Sequence, residues 1–242
     1  LGERHITMIK GLIFDYGGTI DSDGVHWSEI LWESYLQYSI PVSKSQFRNV
    51  YVLAERELAK HPYIRPEYNF YDLLKIKIDL ELGYLIEQGV LDLVYKKYAT
   101  EMARFCYDKA RKTVNKACKI LDSLNECYPM VLVSNFYGNI QTVLTDFGLN
   151  KYFSHVVESA IVGVRKPDPR IFQLGVEALG LKPQETVVIG DSYKKDIVPA
   201  SSLGCQTIWL KGKGWTDEED VIKHEHIIYS FGDLKNILLK VV

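Results

Sequence analysis

Three short apolar runs in this chain end in an oxygen-bearing side chain: Phe14 is followed by Asp15, Val133 by Ser134, and Ile189-Gly190 by Asp191. A fourth run, His155 to Val157, is followed across a glycine-containing loop by Lys166. Carboxylates, a hydroxyl and an ammonium group at such places matter because an open parallel sheet binds its ligands beyond the carboxyl ends of its strands. A single aspartate after a strand is as readily a helix cap or a turn residue. Four polar groups in the same place relative to four runs are harder to dismiss in that way.

The runs that would carry these groups are strand-length and β-rich: Met8 to Phe14, Met130 to Val133, His155 to Val157, Thr186 to Ile189, Gln206 to Leu210 and His226 to Tyr229. Between them lie apolar residues at helical spacing, such as Ile140, Val143, Leu144 and Phe147, or Ile171, Leu174, Ala178 and Leu179. Alternation of strand with helix predicts a parallel α/β sheet. It fails between about Asp21 and Arg111, where only helix patterns occur. Trp27, Ile30, Leu31 and Tyr35 open that stretch, Tyr51 to Lys60 continues it, His61-Pro62 through Arg65-Pro66 breaks it, and Tyr71 to Leu85 resumes it. The polar segments Asp21-Ser22-Asp23-Gly24 and Tyr107-Asp108-Lys109 read as linkers through which an all-helical insert leaves and rejoins the sheet domain. The expected organisation is a Rossmann-like parallel sheet core from residues 1–20 and 111–242, with a helical cap at 21–110. Setting the insert aside leaves about 152 residues, a size suited to one α/β core.

The chain has 242 residues, 47% hydrophobic and 25% charged, which excludes disorder, collagen and coiled coil. Lysine plus arginine (29) nearly balances aspartate plus glutamate (31), for a formal charge of -2, so no global electrostatic force favours nucleic acid or an anionic membrane. The longest apolar runs are far shorter than a membrane span. Leu1 to Lys10 has no apolar stretch of signal-peptide length, and Met8 stands where a native start would lie, with Leu1 to Thr7 upstream of it. A cytoplasmic protein is expected, with no nucleic-acid or membrane partner, and both monomer and homodimer are compatible with the sequence. Cys106, Cys118, Cys127 and Cys205 form no CxxC pair and read as reduced thiols.

Taken together, the strand-end residues resemble the four motifs of the haloacid dehalogenase superfamily of aspartate-nucleophile hydrolases. The first motif, a hydrophobic strand followed by DxDGT, is matched by Gly11-Leu-Ile-Phe-Asp15-Tyr16-Gly17-Gly18-Thr19. The second is matched by Val131-Leu-Val-Ser134-Asn135, the third by Arg165-Lys166-Pro167, and the fourth, GDxxxxD, by Gly190-Asp191 through Asp196. All four occur in the family's order, and the insert after the first motif is similar to the helical cap of one branch.

The resemblance implies a phosphatase acting on a small phosphorylated metabolite. Asp15 would attack phosphorus and form an aspartyl-phosphate, splitting one difficult displacement into two easier ones. Asp15, Asp191 and Asp196 bring three negative charges against one on Lys166, so the bare site would repel a phosphate dianion. A Mg²⁺ ion, held by these three carboxylates and the Gly17 carbonyl, would neutralise that excess. Ser134, Asn135 and Lys166 would hold the phosphoryl oxygens, assisted by backbone N–H groups beginning the helix after Asn135.

One position departs from the pattern. The family's phosphatases carry an aspartate two residues after the nucleophile, which protonates the leaving alcohol; here that residue is Gly17, which transfers no proton. The loss is worth ~10² to 10⁴ in rate for demanding leaving groups. Three outcomes follow: a substrate with a good leaving group, a substitute group among Asp21, Asp23, His26 and Glu29, or a protein kept for binding a phosphorylated metabolite. The family's dehalogenase branch carries an aromatic residue at this position, and its phosphonate-cleaving branch carries alanine with a cap lysine. Lys44 and Lys60 are available in the insert, although a lysine on a helix is usually a solvated charge.

Most of the 16 tyrosines, many of them in the insert, read as packing residues. His224-Glu225-His226 has a metal-like look without a third ligand nearby and reads as a loop before the last strand. Lys211-Gly-Lys-Gly214 lacks the GK[ST] of a phosphate loop and reads as a flexible turn.

Overall fold

A computed structural model describes residues 8–238. The segment expected to precede a native start, Leu1 to Thr7, lies outside the described residues. Six strands form one sheet: β1 (Gly11–Phe14), β2 (Met130–Ser134), β3 (His155–Glu158), β4 (Thr186–Gly190), β5 (Gln206–Leu210) and β6 (Ile227–Ile228). Every pairing is parallel, and the order is β3-β2-β1-β4-β5-β6. All six expected runs are strands, trimmed or extended by a few residues at their ends.

The central strands are continuous apolar runs because both faces are covered, as parallel sheets require. The pleat divides each run between two layers. Leu12, Phe14, Leu132 and Ile189 face one apolar cluster, while Ile13, Val131, Val133 and Val188 face another. The second layer contains α7 (Arg170–Leu179) and α8 (Val198–Ser202), represented in that cluster by Ile171, Phe172, Val176 and Ala200. The first layer includes α4 (Ala99–Asn125), α5 (Ile140–Asp146) and α9 (Leu234–Leu238). A short turn of helix, α6 (Ser159–Val162), follows β3.

The helical insert consists of α1 (Trp27–Gln37), α2 (Lys44–Lys60), α3 (Phe70–Glu87) and the first half of α4. Helices α2 and α3 each begin with a capping box, Ser43 with Gln46 and Asn69 with Asp72, which satisfies N–H groups the first helical turn leaves open. The insert shares one continuous apolar cluster with the sheet, through residues such as Tyr16, Phe70, Leu74 and Tyr107.

The two expected linkers differ in outcome. Tyr107-Asp108-Lys109 lies inside α4, a single 27-residue helix that runs from the insert down onto the sheet, so the boundary expected at 110/111 falls in mid-helix. The polar residues there are its solvent face, while Cys106, Tyr107, Ala110, Val114 and Ala117 are buried at helical spacing. Asp21-Ser22-Asp23-Gly24 is a turn on the connection from β1 to α1, with Asp21 and Ser22 buried. Among the described residues, no helix is long and apolar enough to cross a membrane.

Candidate active site

The sheet reverses its winding between β1 and β4, which are neighbours with Phe14 in register with Ile189. Asp15 leaves the tip of β1 and Asp191 follows β4, so both stand at the topological switch point, where open sheets bind ligands. Ser134 closes β2 one strand away and is buried.

Lys166 arrives from the loop after β3 with its ammonium 2.6 Å from Asp15 Oδ1 and 2.7 Å from Asp196 Oδ1. Only 4% of this lysine is exposed, so its charge is compensated almost wholly by protein. Burial acts to lower its pKa, but the charges of Asp15 and Asp196 outweigh that, and the pKa stands above the ordinary lysine value. Asp196 sits at the start of the turn after β4, where its second oxygen accepts from the Ser192 N–H at 3.1 Å. Burial pushes its carboxyl up to about 6 despite Lys166. Asp191 is raised well above the usual carboxylate range, by burial first and then by the charges of Asp15 and Asp196.

Carboxylate oxygens of Asp15, Asp191 and Asp196 lie within 4.8 Å of one another, the sole such group of potential ligands among the described residues. Hard oxygen donors at this spacing, with one ammonium among three carboxylates, fit a divalent cation such as Mg²⁺. Thr19, to which the sequence assigns no separate role, donates its hydroxyl toward Asp191 Oδ1 at 3.2 Å and Asp15 Oδ2 at 3.5 Å. Its place in the first motif was the available signal.

The adjacent glycines have opposite steric requirements. Gly18 has φ +93°, and a Cβ there would overlap the Asp191 carboxylate, so the turn needs glycine for both conformation and space. At Gly17 a Cβ would meet nothing within 4 Å. The residue that departs from the family pattern therefore leaves open room and is not imposed by crowding.

Two other expected phosphate contacts are placed differently. Asn135 lines the cleft, yet its side-chain amide is bound to the Lys166 backbone, accepting from its N–H at 2.9 Å and donating to its carbonyl at 3.1 Å. It fixes the lysine's loop. The helix expected just after Asn135 begins at Ile140, and the N–H groups of Gly138 and Ile140 are taken by the Glu158 carboxylate. Those donors are spent within the protein.

Of the four residues proposed to replace the missing acid, two are committed elsewhere. Asp23 accepts from the Phe231 N–H at 2.6 Å, and Glu29 is paired with Lys44 at 2.7 Å and Lys213 at 2.6 Å. Asp21 holds the β1 turn, accepting from the Gly18 N–H at 2.8 Å and Trp27 Nε1–H at 2.9 Å, with its pKa pushed up to about 7 chiefly by burial. His26 lines the cavities beside the strand tips.

The strand tips open into a cleft of about 1130 Å³ between insert and sheet, which contains Asp15, Ser134, Lys166, Asp191 and Asp196. A smaller pocket of about 140 Å³ adjoins Gly17 and Asp191 and is walled by Trp27, Tyr51, Phe70, Leu74 and Tyr137. Tyr51 and Tyr137 thus line a pocket, while Tyr35 and Tyr107 are packing residues. The cap lysine facing this pocket is Lys77, buried on α3, paired with Glu55 and lying over the Tyr51 ring at 4.7 Å. The two lysines considered from sequence are elsewhere: Lys44 pairs with Glu29, and Lys60 lines only the wider cleft. His224 Nε2 is bound to Thr207 Oγ1 at 3.0 Å, and the metal-like look of its neighbourhood comes to nothing among the described residues. All four cysteines are free thiols.

Comparison with known proteins gives four findings. A family model described as haloacid dehalogenase-like hydrolase matches residues 9–204. The chain is 29% identical over 147 residues to the mouse haloacid dehalogenase-like hydrolase domain-containing protein 3, covering 60% of this chain and 56% of that protein. It is 36% identical over 90 residues to the glyceraldehyde 3-phosphate phosphatase of Pyrococcus furiosus, covering 37% of each. The chain thus spans about half or less of the length of these curated relatives. The HAD-hydrolase YfnB from Bacillus subtilis, solved bound to magnesium, has the same fold, with TM-score 0.59 at 17% identity over 96% of this chain and 99% of that one.

Proposed function

We propose that this chain, which belongs to the haloacid dehalogenase-like hydrolase family, is a phosphatase that transfers the phosphoryl group of a small phosphorylated metabolite to Asp15 and then to water. The observation that carries this reading is the Asp15 carboxylate, 2.6 Å from the Lys166 ammonium at the switch point of the sheet and within 4.8 Å of Asp191 and Asp196. A protein that only binds phosphate has no need of a nucleophilic carboxylate beside its cation site. The name of the Pyrococcus furiosus relative supports phosphate ester hydrolysis, and Gly17 in place of an aromatic residue speaks against carbon–halogen chemistry.

Asp15, Asp191 and Asp196, with the Gly17 carbonyl, would hold Mg²⁺, which when bound supplies charge neutralisation at the phosphoryl oxygens. Lys166 neutralises a further phosphoryl charge and keeps the Asp15 carboxylate aimed. Asp196 and Asn135 act through Lys166, one on its ammonium and one on its backbone. Ser134 at the tip of β2 offers its hydroxyl to a phosphoryl oxygen. The insert then forms a cap whose aromatic pocket of about 140 Å³ receives the leaving group. A cavity near that volume accommodates about six non-hydrogen atoms, the size of a benzene ring.

A second reading, a protein that binds a phosphorylated metabolite without turning it over, draws on Gly17 alone. Phosphate release from p-nitrophenyl phosphate and acetyl phosphate, with and without Mg²⁺, separates the two. Turnover that requires Mg²⁺ and disappears in Asp15→Asn is the expected result. Activity surviving in Asp15→Asn contradicts the nucleophile assignment, and no activity on either substrate favours binding.

A further inference from the structure

With Gly17 unable to assist the leaving group, the structure must supply that help elsewhere if alkyl phosphates are to react. Asp21 also lines the smaller pocket, but its two oxygens accept from the Gly18 N–H and the Trp27 Nε1–H, which commits its carboxyl group to holding the β1 turn. His26 is differently placed. It is the N-cap of α1, and its Nδ1 accepts from the Ser28 N–H at 3.2 Å and lies 2.8 Å from the Ser28 hydroxyl. A backbone N–H only donates, so Nδ1 carries the lone pair and the neutral ring bears its hydrogen on Nε2.

Nε2 has no hydrogen-bond partner among the described residues, and it is not among the side-chain atoms sealed away from solvent. It therefore keeps accessible surface. The ring lines both the leaving-group pocket and the wider cleft, beside Gly17 and Asp191, and is held between Tyr51 and Trp215 with centroids at 6.0 and 5.4 Å. An N–H on a ring that lines both the strand-tip cleft and the leaving-group pocket is a donor without an assigned acceptor.

We propose that His26 is a catalytic residue whose neutral Nε2–H hydrogen-bonds the leaving-group oxygen as the P–O bond breaks, in place of the acid absent at Gly17. This rests on the phosphatase reading. As Asp15 forms its bond to phosphorus, the electron pair of the breaking bond stays on the leaving oxygen. That oxygen takes its proton from water, while His26 keeps its own, and the hydroxide equivalent is consumed in hydrolysis of the aspartyl-phosphate. The ring stays neutral because burial, then Lys195 and Lys77, lowers its pKa to about 4 against the opposing pull of Glu55 and Glu29. Protonation would also place a hydrogen on Nδ1 against the Ser28 N–H it now caps. One such donor aimed at developing oxyanion charge is worth ~10²- to 10³-fold in rate.

The test is His26→Asn, because asparagine is a good N-cap and keeps α1 while removing the ring N–H. Release of phosphate from acetyl phosphate and ethyl phosphate is measured with Mg²⁺, alongside the melting temperature. The expected result is kcat on ethyl phosphate lowered about 10²-fold, acetyl phosphate within about threefold, and an unchanged melting temperature. An equal fall on both substrates, no fall on either, or a wild-type protein active on acetyl phosphate alone overturns the assignment. A wild-type protein inactive on both substrates contradicts the phosphatase reading itself.

Discussion

At the strand tips, three carboxylates share one buried ammonium, Lys166, and the excess negative charge fits a cation. On the inner face of the insert, Lys77 is matched by Glu55, and Glu81 is held neutral near pH 7 because burial pushes its pKa up to about 8 while Tyr35 donates to it at 3.1 Å. One region is built with charge left over and the other with charge cancelled. The difference suits a phosphoryl group and its metal at the tips, and an uncharged leaving group against the aromatic wall of the insert.

Exchanging the two buried lysines tests that contrast most strongly. Lys166→Met is expected to lower kcat/KM about 10³-fold on every phosphate, because Asp15 and Asp196 lose their compensating charge. Lys77→Met is expected to cost about tenfold, through KM and unequally among leaving groups. Steady-state phosphate release measures both, and equal losses would break the comparison.

Gly17→Asp sharpens it from the other side. The position is open, so the carboxyl is accommodated, and turnover of ethyl phosphate is expected to rise about 10²-fold while acetyl phosphate changes little. A leaving-group series measures this, and no gain would mean that the existing donors already supply the help.

The smallest effect concerns stability alone. Glu81 ionises near its ordinary 4.5 in the unfolded chain and at about 8 in the folded one, so the folded state holds the proton more tightly. Its contribution makes stability fall as pH rises from about 4.5 to about 8, with no further change above. Glu81→Gln is expected to flatten that fall, by on the order of 5 °C in melting temperature between pH 5 and pH 8, with activity near wild type. A melting curve as steep as wild type would show that Glu81 ionises freely.

The tips were legible in the sequence because a strand buried on both faces is a continuous apolar run, and the residue after such a run stands out. Asp15, Ser134 and Asp191 could be placed for that reason, and Asp196 and Lys166 by motif. The insert was legible as helix but not as pocket. Lys77 and Glu81 lie on the buried stripe of α3 with Leu73, Leu74, Ile78 and Leu82, yet a charged residue in an apolar stripe reads as an interruption until its partner on α2 or α1 is seen. Tyr107-Asp108-Lys109 imitated a linker because the solvent face of a helix has the composition of a loop. Asp21 does lie on the connection from β1 to α1, but its burial to hold the Gly18 turn was not legible from its polar neighbours. His26 was in view only as one of four candidates, and it is the cap geometry at Ser28 that singles it out.

The most direct measurement is to quench the Mg²⁺-loaded protein in acid during turnover of acetyl phosphate and locate the bound phosphoryl group by peptide mass spectrometry. One phosphoryl group on the peptide containing Asp15, absent from Asp15→Asn, is the expected result; a label on any other residue, or turnover in Asp15→Asn, would contradict Asp15 as the nucleophile.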